Sequence, residues 1–522
     1  MTHVECDAGN ESLDDHGLLF TRQGFDTVDE KFNRTRDFSR QGVDAFVWGE
    51  SYAMRGYLEM YLATGDIDYL RRLIRIGDAA LEERTDHKAA REDRKACAVW
   101  SVGGFYTVAR LALKDTKGGE TLRLRSIRYA YNDRTRVSLR AGSEPGTFRL
   151  ETANPYWDEN AGQPIQHVYD NLSMDPESPR YVERVVNDPA YVATPGFRRA
   201  DGPDKPSALL VVQDVRRHKR RDEHLALVAN EALIPDVVPY PGYTGPILSA
   251  MTRFAALALA RPELHAEFRD PARRFLQAAK ESVDAYEPCW HRGPGRDEGY
   301  YLLLEKGAGF WCDGVIAPFN YLASTGQVLL SLIDWKKDPR LLDRVRRIAT
   351  LFQRDCELMP NQSYRFHYWS DAVKGWTRAA RWSVNTPEYS GGWPVVEDMS
   401  HGAWSVEFAW MCYERGIVFT RLDMERFART FTRNVWRGEG KDLAFRVDGT
   451  GEGGDTIAAT RWLDLSPVEP RLFEIIRSEY ARKGSHESVY GQALGGYGRM
   501  FRWQETLAGR KLTSTTPRTR EK

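Results

Sequence analysis

Cysteine is scarce in this chain. The six residues Cys6, Cys97, Cys289, Cys312, Cys356 and Cys412 stand far apart, with no CxxC pair and no Cys/His cluster. That excludes a disulfide frame and a thiolate zinc site and leaves packing thiols. No run approaches the roughly 18 consecutive apolar residues of a membrane span. Met1 to Phe20 carries acidic residues where a secretory leader needs an apolar stretch, so the chain is expected to be cytoplasmic and to meet no membrane. Charge of one sign is lacking too: Lys+Arg and Asp+Glu are both 74, so no overall field draws the protein to nucleic acid. The Gly-rich stretch Gly449 to Gly454 is not followed by Lys-Ser/Thr and reads as a loop rather than a phosphate cradle. The basic run Arg216 to Arg221 reads as a solvated linker. No cofactor and no metal are expected.

What is abundant is core-forming material. Hydrophobic residues make up 42% and aromatics 12% of 522 residues, which rules out a disordered chain. From Glu50 to Leu81, Tyr57, Leu58, Tyr61 and Leu62 fall at helical spacing, Thr64-Gly65-Asp66 interrupts them, and Leu70, Leu73 and Ile74 resume. This spacing predicts a helical hairpin with a tight turn. Gln327 to Phe352 repeats it, with Leu330, Leu332 and Leu342 at the positions of Leu58, Met60 and Leu70 and Asp338-Pro339 in the turn. Looser copies run over 246–286 and 403–436, with a further pair over 470–507. A hairpin cannot bury its apolar stripe alone, so several must stack, and closing the stack removes exposed ends. The expected fold class is mainly α, an (α/α) toroid of helical hairpins.

One stretch breaks the rhythm. Thr121 to Arg140 alternates apolar and polar residues around Asn132-Asp133, which predicts strand, turn, strand, and Gly146 to Thr152 continues as a third strand. Asp175 to Pro179 then opens a short helix, YVERVVN. The expected division is 1–115 as the first part of the toroid, 116–221 as an inserted α+β subdomain, 222–510 as its remainder, and 511–522 as a disordered tail.

The repeated ESY…Y..MY.ATGD..YL pattern, with FWCDGVIAPFNYLASTGQ at 310–327 and EDMSHGAWSVEFAW at 397–410, resembles the six-hairpin (α/α) toroids of carbohydrate-active enzymes. That superfamily includes polysaccharide lyases, uronate epimerases and glycoside hydrolases, and the resemblance implies a glycan substrate. Separately, QHVYDNLSMDPESPRYVERVVN at 166–187 is similar to a segment of contractile-phage tail sheath proteins, which implies a protein-docking module over 121–195.

In such a ring the loops entering inner helices face the central cavity. Three of them carry chemistry-bearing side chains: Glu397, Asp398 and His401 before a helix near Ala403, joined one turn later by Glu407; Asp313 and Asn320 in WCDGVIAPFN; and Trp48, Glu50 and Tyr52 in VWGESY. Asp398 or Ser400 is a candidate N-cap, and Glu50 can equally serve the helix dipole. Arg365, His367 and Trp369 in NQSYRFHYW, Asn385, Tyr389 and Trp393 in WSVNTPEYSGGW, and Trp404 complete a set suited to sugars, whose apolar faces stack on aromatics while their hydroxyls need polar partners.

Two chemistries compete for these residues. Lyase or C5-epimerase action removes the proton next to a uronate carboxylate; it needs a polarising group and a Tyr or His acid/base, roles open to His401, Tyr389, Asn385 and Arg365. Hydrolysis needs two carboxylates, such as Glu397 or Asp398 with Asp313 or Glu50. The first is preferred because no carboxylate pair stands out as the His401 cluster does. A non-catalytic body docked to a contractile particle through the insert is the third reading, favoured if aromatic side chains fill the cavity.

Overall fold

The computed structural model describes residues 20–34, 36, 43–87, 97–101, 109–126, 131–156, 166–187, 207, 209–218, 225–235, 240–293, 295–304, 315–370 and 395–509. The repeated apolar spacing forms helices where it predicts them. After α1 (Arg22–Arg34) come the pairs α2 (Ser51–Thr64) and α3 (Asp68–Glu82), α4 (Pro241–Ala260) and α5 (His265–Ala285), and α6 (Phe319–Trp335) and α7 (Pro339–Arg354). Then follow α8 (Met399–Tyr413) and α9 (Arg421–Arg429), the short α10 (Thr456–Ala459) and α11 (Arg471–Arg482), and α12 (Gly491–Leu507). A 3-10 turn, Thr460–Leu465, extends α10.

Packing contacts run in a closed cycle: α2 on α4, α4 on α6, α6 on α8, α8 on α10 and its extension, that segment on α12, and α12 back on α2. The helices α3, α5, α7, α9, α11 and α1 pack against members of this cycle from outside it, α3 against both α2 and α4 and α5 against both α4 and α6. Sequence explains the two roles. Every residue of α2 from Ser51 to Leu62 is buried, as suits a helix apolar on all sides, whereas α3 buries only the stripe Tyr69, Leu70, Leu73, Ile76, Gly77, Ala80 and Leu81.

The turns have local causes. Gly65 ends α2 at φ 75°, a conformation costly for a side chain with Cβ, and its N–H donates to the Tyr61 carbonyl at 2.7 Å. Asp338 caps α7 by accepting from the Arg340 and Leu341 N–H groups, with Pro339 at the first helical position. A Thr420–Asp423 capping box opens α9. Helices α2 and α12 touch backbone to backbone: a Cβ added at Gly498 would lie 2.6 Å from the Gly56 carbonyl oxygen.

The non-helical part begins earlier and ends later than 116–221. Strands β1 (Ala109–Lys114), β2 (Glu120–Ser126), β3 (Arg136–Ala141), β4 (Phe148–Ala153), β5 (Gln166–Leu172), β6 (Leu210–Asp214), β7 (Val228–Ala232) and β8 (Ile234–Pro235) form two antiparallel sheets, ordered β6-β2-β1-β8 and β5-β4-β3-β7. The stretch 225–235, expected to be helical ring, thus carries β7 and β8 instead. The short helix Val182–Val186 stands where its sequence predicts. The hairpin expected across Asn132-Asp133 is not one, because β2 and β3 belong to different sheets. Tyr131 there is left-handed at φ 47°, Asn154 donates to its carbonyl, and a 3-10 turn, Asn132–Arg134, carries the chain between sheets. Alternation tells which residues share a face, not which strand is the partner. The actual hairpin joins β3 to β4, where the Gly142 N–H donates to the Thr147 carbonyl. Leu124, Leu139, Leu150, Tyr169 and Val182 belong to a hydrophobic cluster that shares no residue with the helical core.

Among the described residues no helix is long and apolar enough to cross a membrane. Asp313, Asn385, Tyr389, Trp393 and the tail 511–522 lie outside the described residues.

Candidate functional site

A cavity of about 200 Å³ opens where four helices of the cycle begin. Trp48, Tyr52, Arg55 and Glu59 reach it from α2 and its entry; Ser400, His401 and Trp404 from the first turns of α8; Asp455, Ile457 and Ala458 from α10; Thr460 and Arg461 from its extension; and Gln492, Gly495, Gly496 and Arg499 from α12. The glycines of α12 let that helix sit close against α2, and the Gln492 side chain donates to the Trp48 carbonyl at 3.2 Å. The Trp404 indole N–H donates to the Tyr52 hydroxyl at 3.2 Å, fixing two rings of the wall.

Asp398 does two jobs. Its Oδ1 accepts from the Ser400 and His401 N–H groups at 2.9 Å each, capping α8, while Oδ2 meets His401 Nδ1 at 2.5 Å. Burial pushes the Asp398 carboxyl up, but the hydrogen bond and charge of His401, with the two backbone donors, outweigh it and hold the group below the ordinary carboxylate range. With Nδ1 engaged, Nε2 is the imidazole's remaining polar atom. The His401 side chain is 42% exposed and its ring meets Tyr368 edge-on at 5.6 Å, so it is a wall residue rather than a packed core histidine.

Glu397 is buried and absent from the lining. Its Oε1 accepts from the Asp398 N–H at 3.0 Å and Oε2 has no partner among the described residues. Burial, then the neighbouring Asp398 charge, raises this carboxyl well above its usual range. Glu397, Asp398 and His401 each bring a potential ligand atom within 4.8 Å of the others. Both Asp398 oxygens are already occupied, by the helix cap and the imidazole, so the trio reads as a hydrogen-bonded chain rather than a donor set for a cation.

Beneath the cavity lies a network of buried charges. Glu407 accepts from Arg55 at 2.8 Å and Arg499 at 2.5 Å and stands 3.5 Å from Arg253. Arg55 also donates to Ser249 Oγ at 2.7 Å and Gln327 Oε1 at 2.9 Å. Glu59 accepts from Arg502 at 2.5 Å. Burial alone would raise both acids, but Arg502 and Arg499 bring Glu59 down to about 2, and Arg55 and Arg499 depress Glu407 strongly. Burial, and then Arg253, Arg499 and Arg461 as like charges, lower Arg55 to about 10 despite Glu407.

The structure thus brings His401, Trp48, Tyr52 and Trp404 together at one cavity, with Asp398 behind His401. Other candidates stand elsewhere. Glu50 is buried, 3.4 Å from Arg36, with neither oxygen hydrogen-bonded among the described residues. Asn320 is buried at the start of α6. Arg365 pairs with Glu357 at 2.5 Å across a two-residue strand pairing, His367 is bridged through its backbone to Val396, and Trp369 donates to the Ile316 carbonyl. Sequence reasoning missed Arg55, Glu59, Arg461, Gln492 and Arg499. A signal existed for three of them: Arg55, Glu59 and Arg499 are charges inside helices otherwise apolar or glycine-rich all round, and such charges are buried only when paired or used.

No family model matches the chain, and no curated protein matches its sequence. Among solved structures the chain is similar to a glycoside hydrolase family 76 (mannosidase) from Bacteroides thetaiotaomicron VPI-5482, at 10% identity and TM-score 0.32 over 53% of this chain and 75% of that one. It is similar to the cellobiose 2-epimerase of Spirochaeta thermophila DSM 6192, at 17% identity and TM-score 0.29 over 50% and 71%. It is also similar to a family 76 glycoside hydrolase from a bovine Bacteroides thetaiotaomicron strain, at 10% identity and TM-score 0.32 over 77% and 99%.

Proposed function

We propose that the chain is a carbohydrate-active enzyme built as a six-hairpin (α/α) toroid, in which His401 transfers a proton at the carbon next to the carboxylate of a uronate unit, by lyase or C5-epimerase chemistry. The closed cycle of inner helices supports the architecture. The observation that carries the chemistry is the Asp398–His401 pair on the cavity wall: a carboxylate that orients an imidazole leaves the other nitrogen to give or take a proton. Trp48 supplies an aromatic face for a pyranose ring, while the Tyr52 and Trp404 rings pack against the guanidinium groups behind the wall. Hydrolysis is less well served, because the two lining carboxylates are engaged, Glu59 by Arg502 and Arg499 and Asp455 by the Ile457 and Ala458 N–H groups it caps.

The test is incubation of uronate oligosaccharides with the protein in deuterated water. Deuterium at the carbon next to the carboxylate is expected if the product is inverted (epimerase); if the chain is cut by elimination (lyase), that carbon joins the new double bond and keeps no hydrogen, and a rising ultraviolet absorbance is expected instead. New reducing ends without either change would establish hydrolysis instead. His401→Ala is expected to lower turnover by about 10²-fold or more. Its Tm should move by no more than a few degrees, because the His401 side chain is substantially exposed and Asp398, which loses the imidazole, keeps its two backbone donors.

A further inference from the structure

We infer that the cavity holds an anionic substituent of a single sugar ring, bound at the guanidinium of Arg461 beside His401. The sugar rests on the function proposed above; the anion does not, because it follows from the charges at the cavity.

Arg461 is 8% exposed and no carboxylate pairs with it among the described residues. Its Nη2 donates to the Ser400 carbonyl, while Nε and Nη1 have no hydrogen-bond partner among the described residues. The guanidinium carbon lies 5.1 Å from the Trp404 ring centre and 5.6 Å from that of Tyr52, so aromatic faces flank the cation without neutralising it. The arginines deeper in the same network all have an acid: Arg55 and Arg253 have Glu407, Arg502 has Glu59, and Arg499 has Glu407, Glu59 and Asp464. Arg461 is the exception, and it lines the cavity. Glu407 acts on Arg461 only from beyond ion-pair distance, so a ligand that brings an anion to the guanidinium supplies the direct partner that the other arginines have. Arg499 and Arg55, also in the lining, keep one N–H nitrogen each without an acceptor among the described residues.

Position and size narrow the ligand. The Ser400 carbonyl that holds Arg461 immediately precedes His401, so anion and imidazole share one wall. A cation at a carboxylate is what proton removal from the adjacent carbon requires, because negative charge develops on that carboxylate. About 200 Å³ is below the roughly 300 Å³ at which pockets for larger ligands begin, which suits one ring, a chain end or a free sugar acid, rather than a length of polymer.

The test is calorimetric titration of wild type and of the His401→Ala variant with D-glucuronate, D-glucose and D-glucose 6-phosphate. Glucuronate is expected to bind at least tenfold more tightly than glucose in both proteins, and less tightly as salt rises. Adding Arg461→Met should remove this preference and leave glucose binding in place. Without ligand, Arg461→Met should melt at or above the parent temperature, since it deletes an unpaired buried charge. A preference for acid that survives Arg461→Met, no preference for either acid over glucose, or a marked fall in Tm pointing to a structural arginine would each overturn the inference. Arg461-dependent binding of glucose 6-phosphate alone would uphold the anion site and defeat the uronate reading. Arg461-dependent binding of glucuronate, with neither deuterium exchange nor an unsaturated product from uronate oligosaccharides in wild type, would uphold the site and defeat the proton-transfer reading.

Discussion

Asp398 and Glu397 are neighbours with opposite electrostatics, and their substitution by the matching amides should show it. Asp398→Asn retains a good helix cap but turns a donor toward His401 Nδ1. Turnover is expected to fall by about 10²-fold with little change in Tm. A variant of normal activity would remove Asp398 from the mechanism. Glu397 behaves differently with pH. Its folded carboxyl titrates well above the unfolded value near 4.3, so rising pH ionises the unfolded chain first and erodes stability from about pH 4.3 up to the folded value, at about 1.4 kcal/mol per pH unit. Glu397→Gln, which keeps the acceptor for the Asp398 N–H, should therefore be the more stable protein at pH 8 and nearly equal to wild type at pH 4. Denaturant unfolding at both pH values measures this, and an equal effect at the two would refute it. The cluster EDMSH was legible in sequence as a group of reactive residues. The division of labour within it was not, because burial and backbone donors decide which carboxyl is raised, which is lowered and which imidazole nitrogen is engaged.

At the scale of helices, α2 and α12 carry both the tight packing and the buried charges. Glu407→Gln removes the charge shared by Arg55 and Arg499 while keeping the side chain's size, and should lower stability by about 3–5 kcal/mol, the usual effect of stranding a buried partner. A loss under about 1 kcal/mol in denaturant titration would mean that Ser249, Gln327 and Glu59 satisfy the arginines without it. Gly498→Ala places a methyl group against the Gly56 backbone and is expected to cost about 1–3 kcal/mol, with a separation of α2 from α12 that also disturbs Trp48 and Tyr52. Helix positions were readable where a 3.6-residue period survives, as in α2 to α9. The pairing of helices was less so. α10 is only a single short turn of helix with a 3-10 extension, too brief for a periodic signal, and without it the run at 470–507 looks like a hairpin of its own rather than the outer helix of one pair and the inner helix of the next.

For the whole molecule, the separation of the two hydrophobic clusters has a calorimetric consequence. If the strand-bearing part is an independent unit, the protein should melt in two transitions, and replacing 109–235 by a Gly/Ser linker should remove one and leave the helical one cooperative. Loss of cooperative helical melting in that variant would show that the sheets support the ring. Local composition and periodicity determined that the chain is mostly helical, that its helices come as repeated hairpins, that an alternating segment interrupts them, and that the stretch around His401 combines carboxylates with an imidazole. These are properties of neighbouring residues, so the sequence displays them directly. Tertiary structure alone decided that β2 and β3 enter different sheets, that Arg365 pairs with Glu357 away from the cavity, and that Arg461 reaches the cavity without an acid. Each depends on which distant segments meet: Arg461 gains its setting from Ser400, Trp404 and Tyr52, on helices far apart in the chain, and a buried charge is paired or unpaired only once the fold has brought its neighbours together.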